Sequence, residues 1–110
     1  MPATPLYERK AELFRTLAHP WRIRLLELLV DGETTVGQLG AQVDMEASHL
    51  SQQLAVLRRT GLVVSRRVGS HVFYRLASKR VAGLLDAARV LLTEVLAADV
   101  TLLDELEHSP

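Results

Sequence analysis

At Gly61 the hydrophobic period of the chain changes, and that switch excludes most folds open to a chain of 110 residues. Upstream, Leu50, Leu54 and Leu57 recur at helical spacing within a stretch from about Ala47 to Thr60, the pattern of a helix with one buried face. Downstream, Leu62-Val63-Val64-Ser65-Arg66-Arg67-Val68 and His71-Val72-Phe73-Tyr74-Arg75-Leu76 are β-branched and aromatic runs joined through Gly69-Ser70, the pattern of a β-hairpin. Glycine closes helices because it adopts left-handed φ without penalty. The expectation is a mainly α fold with a small β-hairpin.

The remaining elements are helical. Leu6, Lys10, Leu13, Phe14 and Leu17 share one helical stripe. His19-Pro20 interrupts it, since proline disfavours a helical predecessor but starts a new helix well. A second helix from Pro20, apolar nearly all round through Trp21, Ile23, Leu25, Leu26, Leu28 and Leu29, is expected to end at Asp31-Gly32. Thr34 or Thr35 caps a short third helix carrying Val36, Leu39 and Val43, and Asp44-Met45-Glu46 leads into the helix that ends at Gly61. From about Ser78 a long helix carries Val81, Leu84, Leu85, Ala88, Leu92, Val95, Leu96, Leu102, Leu103 and Leu106, with a break expected near Asp99. A terminal helix this apolar exceeds what so small a domain covers. Its expected partner is a second copy of itself together with the first helix, giving a homodimer. One domain spanning 1–110 is expected, with about 78–106 as its dimerisation region.

Absence of cysteine excludes disulfides and thiolate metal sites. No stretch approaches the roughly 18 apolar residues of a membrane span, and Met1-Pro2-Ala3-Thr4-Pro5 has no basic-then-apolar leader pattern. A cytoplasmic protein with no membrane partner is expected. Net charge is zero, yet the charges are segregated. Between Ala47 and Arg80 there is no Asp or Glu, while Arg58, Arg59, Arg66, Arg67, Arg75, Lys79 and Arg80 supply positive charge. From Val81 onward Asp86, Glu94, Asp99, Asp104, Glu105 and Glu107 face only Arg89. One surface can therefore attract phosphates while another carries the compensating charge.

Two short helices joined by a tight turn, the second presenting Ser48, His49, Ser51, Gln52, Gln53 and Arg59 outward, form the pattern of a helix-turn-helix that enters the major groove of double-stranded DNA. Gln52 or Gln53 suits adenine, and serine suits bases or phosphates. Arg58, Arg59, Arg66 and Arg67 suit phosphates, and the hairpin tip of Gly69, Ser70 and His71 is narrow enough for the minor groove. Each residue also has a simpler role open to it: Ser48 as a helix cap, His49 and His71 as plain surface histidines. Arg66 and Arg67 alternate in facing along their strand, so one of them, with Arg67 favoured, points to DNA. No nucleophile-base pair, phosphate loop or paired-carboxylate site argues for an enzyme.

Leu17-Ala18-His19-Pro20-Trp21-Arg22-Ile23-Arg24-Leu25-Leu26, the run from Ser48 to Arg58 with Gly61-Leu62-Val63, and Phe73-Tyr74-Arg75-Leu76 resemble the ArsR/SmtB family of bacterial transcriptional regulators over about residues 10 to 96. The resemblance implies a winged helix-turn-helix dimerising through its first and last helices, repressing from an inverted-repeat operator, with Ser48, Ser51 and Gln52 on the DNA. Many members have histidine where this chain has Gln52. Nickel-responsive actinobacterial members are similar to this sequence, and the family's common effector is a metal ion.

The family's metal positions depart here. Val36-Gly37-Gln38-Leu39-Gly40 holds no thiolate. Where zinc and nickel sensors carry Asp-x-His after the wing, this chain has Ser78-Lys79-Arg80, whose charges repel a divalent cation. Of the later ligand pair, Leu91 and Glu94 keep only the acid. Candidate nitrogen and oxygen donors for nickel or zinc are Glu94, Asp99, Glu105 and His108, with Asp104 and Glu107 nearby and Glu8 and Glu12 on the first helix of a second copy. The same residues also read as an acidic terminus without a ligand, and His19 as the cap of the second helix. A ligand-independent regulator, or a winged-helix scaffold that recruits a co-regulator protein, is the competing expectation.

Overall fold

The computed structural model describes residues 3–108; Met1 and Pro2, part of the N-terminal stretch read above, lie outside it. The order is α1 (Leu6–Leu17), α2 (Pro20–Leu28), β1 (Thr34–Thr35), α3 (Val36–Gln42), α4 (Ala47–Arg59), β2 (Val63–Val68), β3 (His71–Leu76) and α5 (Lys79–Glu107). The fold is mainly helical with a small antiparallel sheet.

Local chemistry sets most boundaries. His19, extended at φ −135° and ψ 120°, precedes Pro20 at the first position of α2. It occupies the cap position but its side chain makes no capping hydrogen bond. α2 stops at Leu28, earlier than the expected Asp31-Gly32, and a turn carries the chain to Gly32 at φ +139°. Thr35 caps α3 in a capping box: its hydroxyl accepts from the Gln38 amide, and the Gln38 side chain accepts from the Thr35 amide, each at 3.1 Å.

α4 ends in a Schellman closure. The Leu62 amide donates to the Leu57 carbonyl at 3.0 Å and the Gly61 amide to the Arg58 carbonyl at 3.1 Å, which requires Gly61 to sit at φ +80°. The reversal sends the chain directly from α4 into β2. Val68 pairs with His71 at the far end of the hairpin. Gly69 there has φ +60°, the glycine-first requirement of a type II′ turn.

The sheet contains a strand beyond the expected hairpin. Thr34 pairs with Tyr74 and Thr35 with Phe73, giving the order β1-β3-β2. Two residues are too short to display the alternation by which a strand is read from sequence.

The core lies where α2, α3, α4 and the sheet meet. Leu25, Leu26, Leu39 and Leu57 are completely buried, joined by Leu29, Leu50, Leu54, Leu62, Val63, Tyr74 and Val81. Trp21 and Ile23, read as part of an all-round apolar α2, are instead exposed.

α5 corrects another expectation: it runs unbroken through Asp99 for 29 residues, about 44 Å at ~1.5 Å per residue. Ser78 caps it, its hydroxyl accepting from the Arg80 amide at 3.1 Å. Only its first turns meet the core, through Val81 and Leu85. Beyond them Leu92, Val95, Leu102 and Leu106 stand exposed in a stripe that also contains Asp99. No helix of the described residues is long and apolar enough to cross a membrane.

Candidate nucleic-acid interface

α4 presents two kinds of surface. Leu50, Leu54 and Leu57 pack inward, which turns Ser48, Ser51, Gln52, Arg58 and Arg59 outward as exposed residues. Glu46 is the N-cap of α4, without a side-chain capping bond. Ser48 therefore stands one position inside the helix rather than at its cap. Ser48 brings a hydroxyl to the end of α4 whose free amides favour anions.

His49 and Gln53 sit on the flank and are half-buried. Gln53 is already engaged: its Oε1 accepts from Arg22 Nε at 2.9 Å, while Arg22 Nη1 donates to the Thr16 carbonyl at 3.3 Å. Arg59 closes the far end of α4, where with Arg9, Glu12, Leu13, Thr16 and Thr60 it lines a cleft of about 320 Å³ against α1.

The hairpin separates its two arginines by strand alternation. Val63 and Tyr74 are buried on the core side, so Ser65 and Arg67, at the same phase as Val63, share that side. Arg66 faces the other way, opposite Phe73. There it makes a forked contact with Glu33: Nε lies 3.0 and 2.9 Å from the carboxylate oxygens and Nη2 lies 2.6 Å from Oε1. Its guanidinium also rests 5.0 Å from the centre of the Phe73 ring. The hydrogen bond from Arg66, reinforced by its charge and that of Arg75, holds the Glu33 carboxyl below its ordinary range, and Glu33 in turn raises Arg66. Arg67 forms no ion pair among the described residues. At the tip Ser70 and His71 are exposed, with the His71 ring edge-on to Phe73 at 6.5 Å.

Thus Ser48, Ser51, Gln52, Arg58 and Arg67 are exposed and have no side-chain partner among the described residues, whereas Gln53 and Arg66 are held within the protomer. The contacts that Arg22, Glu33 and Phe73 make in the site were not readable from the sequence. Each acts through a partner distant in the chain, such as Gln53 for Arg22, and no local pattern announces it.

The candidate metal donors do not assemble. Glu94, Asp99 and Glu105 are exposed along α5, and His108 is exposed at its C-cap. His108 Nδ1 is within 2.8 Å of the Asp104 carbonyl oxygen and 3.2 Å of Asp104 Oδ1. Among the described residues no group of three or more His, Asp or Glu converges as an ion would require.

Residues 19–65, which include α2, α3 and α4, match the family described as bacterial regulatory protein, arsR family. The chain is 50% identical over 107 residues to the uncharacterized HTH-type transcriptional regulator Rv0081 of Mycobacterium tuberculosis, covering 96% of this chain and 94% of that protein. It is 45% identical to the biofilm growth-associated repressor of Agrobacterium fabrum, covering 76% of this chain and 74% of that one. The crystal structure of Rv0081 superposes with a TM-score of 0.82 at 52% identity, covering 89% of this chain and 99% of that chain. The homodimeric winged helix-turn-helix DNA-binding domain of Mb0332 from Mycobacterium bovis superposes with a TM-score of 0.74 at 30% identity, covering 86% and 92%. Carrying the helix-turn-helix of α3 and α4 and the wing of β2 and β3, the chain belongs to the arsR family of bacterial transcriptional regulators.

Proposed function

We propose that this chain is a homodimeric repressor that binds an inverted-repeat operator in double-stranded DNA. Ser48, Ser51 and Gln52 read bases in the major groove, Arg58, Arg59 and Arg67 hold phosphates, and Ser70 and His71 reach the minor groove. The observation that carries this reading is the unpaired polar row on α4 beside a wing, within a stretch from Ala47 to Arg80 that contains no acid. Relatives named as regulators and repressors support a regulatory rather than a catalytic role.

Dimerisation is assigned to α1 and α5. Leu6, Tyr7 and Phe14 on α1, and Leu91, Leu92, Val95, Leu96, Leu102, Leu103 and Leu106 on α5, are exposed in one protomer. That is more contiguous apolar surface than a soluble monomer ordinarily leaves in water. The homodimeric M. bovis neighbour supports a second copy as the cover. Two symmetry-related α4 helices then enter successive major grooves, which sets half-sites about one helical turn apart.

A nickel or zinc response is not part of the reading, because the donors of one protomer do not converge and Lys79 and Arg80 open α5 with positive charge. Calorimetry of the dimer with each ion, with and without DNA, tests that exclusion through reciprocal linkage. Heat together with a changed DNA affinity would restore metal responsiveness.

The central test is fluorescence anisotropy on the DNA upstream of the chain's own coding region against random duplex at moderate salt. Preference for the upstream region is expected. Indifference to DNA together with stable association with another protein would favour the scaffold reading instead.

A further inference from the structure

We propose that Arg22 is a positioning residue for DNA reading, one that fixes the setting of α4 against α1 and draws the Gln53 amide oxygen toward the protein, leaving its amide donors as the end offered to DNA. The proposal rests on the function assigned to α4 above and adds how that helix is aimed.

Among the described residues, the Arg22–Gln53 bond is the one side-chain hydrogen bond joining α4 to another element. α4 also packs through the apolar side chains of Leu50, Leu54 and Leu57. Apolar contact holds a helix in place without preference for direction, whereas a hydrogen bond weakens steeply with angle. Arg22 thus supplies a directional constraint on the rotation of α4.

Its other arm reaches the Thr16 carbonyl at 3.3 Å. Thr16 lies in the last turn of α1, where unsatisfied carbonyls attract a cation. It is also the one buried polar residue among those described. A single planar guanidinium therefore spans from the helix whose Leu6, Tyr7 and Phe14 await a second copy to the helix that reads DNA. The α1 surface and the setting of α4 are thereby joined through one guanidinium as well as through the packed core.

The same contact divides the labour of two neighbouring glutamines. Arginine has donors only, so the amide oxygen is the end of Gln53 that faces it. Recognition of adenine by glutamine uses both a donor and an acceptor. With Oε1 engaged by Arg22, Gln53 turns its amide donors to acceptors such as phosphate oxygens. Gln52 is exposed and makes no internal hydrogen bond among the described residues, so it retains both functions. Base preference is assigned to Gln52, and a sequence-independent contact to Gln53.

The test uses the full-length protein with Arg22→Lys, Arg22→Met, Gln53→Met and the double substitution Arg22→Met/Gln53→Met. Operator and random-duplex affinities and the dimer dissociation constant are measured for each, and the Gln53 side-chain amide signals in a ¹⁵N spectrum for the wild type and the two Arg22 single variants. Loss of a hydrogen bond to a charged group corresponds to roughly a tenfold change in affinity. Arg22→Met is expected to lose about that factor on operator, Gln53→Met at least as much because its own contact goes too, and the double variant no more than Gln53→Met alone. Lysine, a point charge without the fork, should keep the fold and the dimer but not restore the operator affinity. In the free protein, Arg22→Lys should shift the Gln53 side-chain amide pair.

Additive losses, full rescue by lysine, or Gln53 signals that ignore the substitution would overturn the proposal. Should Arg22→Met fail to fold, Arg22→Lys and Gln53→Met still decide it. A wild-type protein with no operator preference would overturn the function proposed above, while the Gln53 signals would still report whether Arg22 positions α4.

Discussion

Glu33 and Arg66 clasp each other over the central strand β3, with Arg66 Nη2 2.6 Å from Glu33 Oε1. The pair joins the residue preceding β1 to the middle of β2, and Phe73 supplies a ring beneath the guanidinium. An arginine that strand position alone would offer to phosphate is thereby neutralised in the free protomer.

Replacing Glu33 with glutamine keeps the shape but removes the charge. Glu33→Gln is expected to strengthen binding to operator and random duplex alike and to steepen the salt dependence by about one unit in log–log slope, the value for one added phosphate contact. Anisotropy titrations across a salt series measure this. An unchanged slope would mean that Arg66 stays away from phosphate even when released.

The same clasp has a defined pH response. Arg66 depresses the carboxyl pKa of folded Glu33 relative to the unfolded chain. Its stabilising contribution is therefore complete above the unfolded value, ordinarily 4.5, and is lost as pH falls through the lower folded value. Titration of the Glu33 carboxyl by ¹³C NMR should give a midpoint below that ordinary value. In Arg66→Met the midpoint should return toward it, and wing amide exchange between about pH 6 and 8 should not vary beyond the intrinsic rate.

Gln52 and Arg67 should fail differently. Gln52→Ala is expected to cost about 1–3 kcal/mol of discrimination at one base pair, leaving random-duplex affinity nearly intact. Arg67→Ala should weaken all duplexes and flatten the salt slope by about one. Binding-site selection with each variant separates them, and equal loss of preference in both would refute the assigned roles.

At Gly61 a side chain would meet no atom within 4 Å, so its cost is conformational rather than steric crowding. Gly61→Ala at φ +80° should destabilise the protein by about 1–2 kcal/mol. Urea unfolding at fixed protein concentration reads that change. A neutral result would show that the Schellman closure adapts without left-handed backbone.

Much of this was legible beforehand because the signals were local. Period and glycine placement located α4 and the hairpin, and Pro20 located the start of α2. Thr35 with Gln38 is a cap whose partners lie three positions apart. What escaped was long-range or too short. β1 exists because β3 offers Thr34 and Thr35 a pairing edge, and the engagement of Gln53 depends on an arginine 31 positions away. Asp99 suggested a helix break, but one exposed aspartate costs a helix only a few tenths of a kcal/mol, about 0.7 at most. The outward row of Ser48, Ser51 and Gln52 was readable from helical phase alone. Which neighbouring polar residues were already occupied was not.

The unbroken course of α5 through Asp99 gives its apolar stripe an address system. Leu92, Val95, Leu102 and Leu106 look much alike to an approaching helix, and leucine-rich surfaces slide past one another at little cost. A carboxylate set among them does not, because any alignment that seals it against hydrocarbon carries an unpaired charge. In the dimer proposed above, two copies meeting along this stripe would be restricted to alignments that give Asp99 water or a donor, so one acid would exclude mistaken registers that the leucines alone would accept.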